Sequence, residues 1–148
     1  MAMTMTGEYQ LSASQQIVWE KLNDPIVLKA CIPGCESLDK TSDTGFQAVA
    51  TIKIGPVKAK FKGNVTLSDL DPPNGYKISG EGEGGVAGFA KGGATVALAD
   101  KDGGTLLSYN VEAQIGGKLA QLGQRLINGA AKKLADEFFT NFAKAVQG

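Results

Sequence analysis

The stretch ISGEGEGGVAGFAKGGA, Ile78 to Ala94, carries the most suggestive spacing in the chain, because Gly80-x-Gly82-x-x-Gly85 spells the dinucleotide-binding fingerprint. That chemistry needs a strand, a tight turn and a helix N-terminus aimed at the phosphates. Read as a strand, however, Tyr76, Ile78, Gly80, Gly82 and Gly84 alternate with Lys77, Ser79, Glu81 and Glu83. The glycines then share the inward face, and the two glutamates would repel the anion such a loop should bind. The fingerprint is a chance match. Glycine inside a strand costs roughly 0.5–1 kcal/mol relative to alanine, so Gly80, Gly82 and Gly84 together cost about 2 kcal/mol, and strand glycines mark a bulge, a bend or a close approach. Other inward positions are small too: Ala48, Ala50, Ala59, Gly63, Ala90, Gly92 and Ala94, with Gly123, Gly129 and Ala130 in the last segment. Two outcomes remain open. Either the last helix packs very close to a curved sheet, or the small residues leave an apolar cavity of the kind ligands occupy.

Other reactive side chains are few. The chain has no histidine, which removes Ser-His-Asp and Cys-His systems and the usual general base. Cys31 and Cys35 flank Ile32-Pro33-Gly34, a tolerable zinc half-site, but no second pair completes four ligands. No metal is expected; the turn instead places two small, partly buried thiols at the mouth of any cavity. Tyr9, Tyr76 and Tyr109 are the inward titratable groups, and no catalytic residue is assigned. Lys58, Lys60 and Lys62 line the outer face of one strand. They serve either solubility and edge protection or docking to a partner or to anionic headgroups, worth about 1 kcal/mol per lysine near a charged leaflet. Phe61 between Lys60 and Lys62 falls on the inward face, so no aromatic residue interleaves on the lysine face, and 15 basic residues balance 15 acidic ones; no nucleic-acid partner is expected.

The elements that must position these residues follow from periodicity. Met3, Met5, Gly7, Tyr9 and Leu11 alternate with polar residues, which predicts a first strand. Ser12 and Gln15 have capping-box spacing before a short helix through Trp19 and Leu22, and Asp24-Pro25 starts a second that ends by Pro33-Gly34. From Cys35 to Gln114 the period is two, interrupted by turns at Gly55-Pro56, DPPNG and DKDGG, so an antiparallel meander is expected. The last segment is helical, with Leu119, Leu122, Leu126, Ala130, Leu134, Phe138 and Phe142 on one stripe. About thirty residues at ~1.5 Å each predict one rod of roughly 45 Å. The length of 148 residues suits one α+β domain, 1–148, with a curved sheet wrapped around that helix. The N-terminus lacks a signal-peptide pattern and no apolar run reaches about eighteen residues, so a cytoplasmic protein with free thiols is expected.

The sequence resembles the CoxG family, the G-subunit family of carbon monoxide dehydrogenase, within the START-like (SRPBCC) superfamily, over nearly its whole length. The resemblance rests on GEYQL (Gly7–Leu11), VWEKLNDP (Val18–Pro25), CIPGCESL (Cys31–Leu38) and IGPVKAKFKG (Ile54–Gly63). It continues in DPP (Asp71–Pro73), GEGEGG (Gly80–Gly85), GFAKG (Gly88–Gly92) and GGKLAQLGQRLI (Gly116–Ile127). It implies a helix-grip fold around a hydrophobic cavity, and a role beside carbon monoxide dehydrogenase or a related molybdenum hydroxylase. It also implies handling of a quinone and recruitment of that enzyme to the inner face of the cell membrane. Some members carry a C-terminal membrane anchor, which is not expected after Gly148 here.

On this reading the protein is a non-enzymatic carrier of a quinone or lipid, with no covalent cofactor. A surface-acting recruitment factor and a polyketide cyclase-like enzyme are the rivals. The strands are expected to contribute Phe46, Ala50, Ile52, Phe61, Ile78, Gly80, Gly82, Phe89, Ala94, Val96, Tyr109 and Val111 to the lining. The turn after the second helix adds Ile32, and the last segment adds Leu122, Leu126, Ile127 and Ala130.

Overall fold

The period-two segments form one antiparallel sheet, and the helical segments pack inside its curve. The computed structural model describes residues 1–147; Gly148, the last residue of the expected domain, lies outside them. In chain order the elements are β1 (Ala2–Leu11), α1 (Gln15–Leu22), α2 (Pro25–Cys31), β2 (Cys35–Lys40), β3 (Gly45–Ile54) and β4 (Val57–Asp71). Then follow β5 (Gly75–Glu83), a 3-10 turn (Gly85–Ala87), β6 (Phe89–Lys101), β7 (Gly104–Gly116), α3 (Lys118–Gln121) and α4 (Gln124–Gln147). The sheet order is β1-β7-β6-β5-β4-β3-β2, so only β1 is displaced from sequence order, closing against β7.

Strand parity holds along the meander. Gly63, Gly82 and Ala90 stand in register across β4, β5 and β6, as do Val65, Gly80 and Gly92. Glu81 and Glu83 face solvent. The core gathers where the sheet is most closed: Leu11, Val18, Leu22, Leu107 and Phe142 are buried together, with Thr105 donating its hydroxyl hydrogen to the Ala13 carbonyl at 2.8 Å. A second, smaller core joins Met3, Ile115, Leu119 and Ile127 at the other end.

Two expectations are corrected. The last segment is not one rod, because the chain breaks at Leu122-Gly123, where Gly123 has φ +91°, outside any helix. The 24 residues of α4 make a helix of roughly 36 Å at ~1.5 Å per residue. The first helix is capped by Ser14, whose hydroxyl accepts from the Ile17 amide, and not by Ser12. Ala13 is buried with its carbonyl held by Thr105, so the helix starts two residues later than the Ser12 spacing implies. Gln15 is then free to reach across to the Pro73 and Leu98 carbonyls. The second helix begins as expected, with the Asp24 carboxylate accepting from the Ile26 amide and Pro25 in the first turn.

Candidate functional site

The helix α4 is held unequally by the two sides of the sheet. On the β1 side it is clasped: the Tyr9 hydroxyl donates to Asp136, and Lys132 Nζ lies 2.8 Å from the other carboxylate oxygen. Phe139 stacks on Tyr9 with ring centroids 4.3 Å apart, and Gln124 donates to the Ala2 carbonyl at 3.0 Å. At its far end Asn141 donates to the Cys31 carbonyl at 3.1 Å. Toward β3, by contrast, no side-chain hydrogen bond or ion pair reaches α4 among the described residues.

That open side is a groove of about 770 Å³. It exists because β2 pairs with β3 only as far as Cys35 opposite Ala50, leaving Ile52–Ile54 as a free edge. Ile52 and Ile54 form one wall, Leu122, Leu126, Ala130 and Leu134 the other, and Pro33-Gly34 closes one end. The other end is closed by Leu126 lying on the turn at Gly55. Gly55 has φ +57°, and a Cβ there would come within 2.8 Å of the Leu126 side chain. Ligand sites are typically 300–1,000 Å³; the groove falls in that range, open to solvent along one side, with Thr51, Arg125, Lys133 and Glu137 beside its apolar walls.

The inward glycines bear on the question of what the sheet accommodates. A Cβ at Gly63 would meet only the Glu81 carbonyl and the Gly82 backbone; one at Gly82 would meet only Lys62 and Gly63 backbone atoms, at 3.7 and 4.0 Å. No helix atom lies within 4 Å of either. Those two glycines therefore do not make room for a closely packed α4. Gly80 is different, since a Cβ there would press on the Asn64 carbonyl at 3.0 Å and on Val65. Gly7 and Gly84 lie under the rings of Tyr109 and Phe61, the cross-strand covering by which an aromatic shields a strand glycine.

The expected lining is distributed as follows. Ile52, Leu122, Leu126 and Ala130 line the groove. Ala50, Ile78, Gly80, Gly82, Ala94 and Val111 are half-buried on inward-facing positions, and Ile32 is half-buried at the end of α2. Phe61 packs on the smaller core. Phe46, Val96, Tyr109 and Ile127 are buried in the two cores, so they are packing residues first. Phe89 is a correction: it is 44% exposed and stands in register with outward Glu83 and with Gly116. Its ring lies over Gly116 on the outer face. Cys31 is likewise fully buried in the core, not at a mouth, whereas Cys35 is half-buried; burial raises both thiols above their ordinary values. Lys58, Lys60 and Lys62 are exposed on the outer face of β4, with Lys60 3.4 Å from Glu36. Sequence reasoning passed over Ile54 and Leu134 as lining, although both lay on the right parity and stripe. It missed the Tyr9–Asp136–Lys132 clasp, whose one visible signal was the i,i+4 spacing of Lys132 and Asp136.

The clasp has an electrostatic signature. Hydrogen bonds from Lys132 and Tyr9 hold the Asp136 carboxyl below its ordinary range, and burial, then Asp136, hold the Tyr9 hydroxyl protonated far above its own. A carboxyl with a depressed folded-state value stabilises the fold above its unfolded value of about 4, and that contribution is lost as pH falls through the folded value. Asp136→Asn should therefore lower the urea midpoint at pH 7 and approach the wild type near pH 3. An unchanged gap at the lower pH would refute the pairing.

A curved antiparallel sheet gripping a C-terminal helix, with two short helices after the first strand, defines the helix-grip fold of the START-like (SRPBCC) proteins. The chain belongs to the CoxG family, the G-subunit family of carbon monoxide dehydrogenase, whose model matches residues 7–147. A conserved protein from Geobacillus kaustophilus is 36% identical, with a TM-score of 0.92 over 98% of this chain and 95% of that one. The Zhui aromatase/cyclase from a Streptomyces species shares the fold at 10% identity, with a TM-score of 0.72 over 99% and 94% of the two chains. Truncated norcoclaurine synthase from Thalictrum flavum does so at 16% identity, with a TM-score of 0.63 over 99% and 94%. No curated protein matches the sequence. Among the described residues no helix is long and apolar enough to cross a membrane.

Proposed function

We propose that this protein is a non-enzymatic carrier of a lipophilic ligand, a quinone or lipid, accessory to a carbon monoxide dehydrogenase-type molybdenum hydroxylase. The observation that carries the reading is the apolar-floored groove between β3 and α4; Gly63 and Gly82, inward on β4 and β5 outside its lining, also have no helix atom within 4 Å of a Cβ position. Family membership supports the link to the hydroxylase. The titratable groups support a carrier over a cyclase, because burial pushes the Tyr76 hydroxyl to about 12 and Tyr9 is held protonated by burial and Asp136. Neither serves as a base near neutral pH.

The test is organic extraction and mass spectrometry of protein purified natively without detergent. A stoichiometric isoprenoid quinone or acyl lipid is the expected result, and a consistently empty protein overturns the carrier reading. In this proposal Lys58 and Lys62 belong to a contact with the partner or with the inner face of the membrane. Lys58→Glu with Lys62→Glu should abolish that association in a sedimentation assay while leaving ligand content unchanged. Retained association would remove the lysines from the proposal.

A further inference from the structure

The rim of the groove has a chemistry that a neutral ligand does not use. Two rows of residues run side by side at i,i+4 spacing along this side of α4. Leu126, Ala130 and Leu134 form the inner row, on the apolar wall, and Leu122 extends it just before the helix. Arg125, Gly129, Lys133 and Glu137 form the row beside it on the groove's rim. Lys53 of β3 stands in register with outward Lys58, so its side chain belongs to the outer face and not to the rim. Two cations and one carboxylate of α4 thus border an apolar floor. Arg125 and Lys133 belong to no ion pair among the described residues; the three pairs present are Lys60–Glu36, Lys77–Asp69 and Lys132–Asp136. Lys133 does not pair even with Glu137 one turn on, although i,i+4 neighbours are within reach.

Gly129 sits between Arg125 and Lys133 in the rim row. Glycine in mid-helix costs about 1 kcal/mol relative to alanine, and here no close packing requires it, since a Cβ at Gly129 would meet nothing within 4 Å. The result is a notch in the rim with a cation one turn away on either side. A charged group seated there is flanked by a guanidinium and an ammonium while its tail lies along Ile52, Leu126 and Ala130.

We infer that the groove takes a single-chain acidic amphiphile, its carboxylate or phosphate head in the Gly129 notch against Arg125 and Lys133, and its hydrocarbon tail on the apolar floor. This rests on the carrier reading and narrows it to an anionic head. Charge-assisted hydrogen bonds of this kind are the strong ones, and a guanidinium matches both head groups.

The test is isothermal titration of the purified, delipidated protein with four probes below their aggregation concentrations: palmitate, lysophosphatidic acid, hexadecanol and decylubiquinone. Palmitate or lysophosphatidic acid should bind at least about tenfold more tightly than hexadecanol, and Arg125→Gln with Lys133→Gln should erase that preference without weakening hexadecanol. Preference for palmitate alone or lysophosphatidic acid alone identifies the head; either supports the inference. Equal binding of hexadecanol or decylubiquinone, unmoved by the double variant, overturns the anionic head and leaves the carrier reading intact. Binding of none of the four overturns both. Phosphatidylglycerol vesicles form a fifth arm, and sedimentation with vesicles in the absence of any monomer binding would assign these cations to a membrane surface and overturn the inference. Gly129→Leu gives an independent readout: it fills the notch with a good helix former, so it should reduce palmitate binding while raising the thermal midpoint.

Discussion

Replacing Phe142 by alanine should destabilise the protein by about 3–5 kcal/mol, the range for deleting a buried aromatic whose site cannot collapse. Phe142 is the largest fully buried side chain, and it is where α4 meets β1, α1 and α2. Its ring stacks near Phe138, with centroids 5.8 Å apart, and the surrounding residues Leu11, Val18, Leu22 and Leu107 belong to elements that are themselves fixed. Nothing there is free to move into the void. Against a typical total stability of about 5–15 kcal/mol, the variant should be marginal at physiological temperature, and a chemical-denaturation curve would measure the loss directly. A cost below about 1 kcal/mol would mean that α4 is not anchored through this end, and that its position over the groove has another origin.

The anchoring explains why the groove can stay open. The β1 side of α4 carries the clasp and the Tyr9–Phe139–Tyr109 stack, and the C-terminal half carries the larger core. Held along one side and one end, the helix needs no packing against β3 to stay in place. An apolar groove in that position would otherwise close, because unfilled space forfeits the dispersion contacts of its lining.

Much of this was legible in the alternation of residues, because strand parity is local. Phe46, Ile52 and Val65 point inward for the same reason that Lys58, Lys60 and Lys62 point out. Parity also places Phe89 correctly, since inward Gly84 and Ala90 leave position 89 facing out with Glu83; its assignment to the lining followed its aromatic type and ignored the alternation. The helix break at Gly123 was hidden because the apolar stripe continues across it: Leu119 packs before the break and Ile127 after it, in the same small core. The choice between Ser12 and Ser14 as cap depended on Thr105, 92 positions from Ala13, which no local pattern contains. The groove itself was half visible. Small residues on facing layers show that space can exist; whether a helix fills it depends on how the helix is held elsewhere, which is a property of Tyr9, Asp136 and Phe142 together.

That distinction makes Gly82 the most informative glycine to change. Gly82→Val should raise stability by about 1 kcal/mol and reduce loading of the extracted ligand at least about tenfold. The stabilisation follows because glycine in a strand costs roughly 0.5–1 kcal/mol and a β-branched residue suits the pleat. The backbone permits it, since the added Cβ would meet only strand atoms, at 3.7 and 4.0 Å. Gly82 is not part of the groove's own lining, so the loss of loading follows for a ligand that extends beyond the groove over the inward face, where no helix atom lies within 4 Å of the Cβ. If the glycines were instead demanded by helix packing or by sheet curvature, the same substitution would destabilise the fold by overpacking, at about 1–3 kcal/mol. Thermal unfolding and ligand extraction on one variant thus separate the two readings by sign. A more stable protein that loads poorly is one whose glycines were kept for the ligand, and Gly80, already pressed by the Asn64 carbonyl, provides the contrast: Gly80→Val should destabilise.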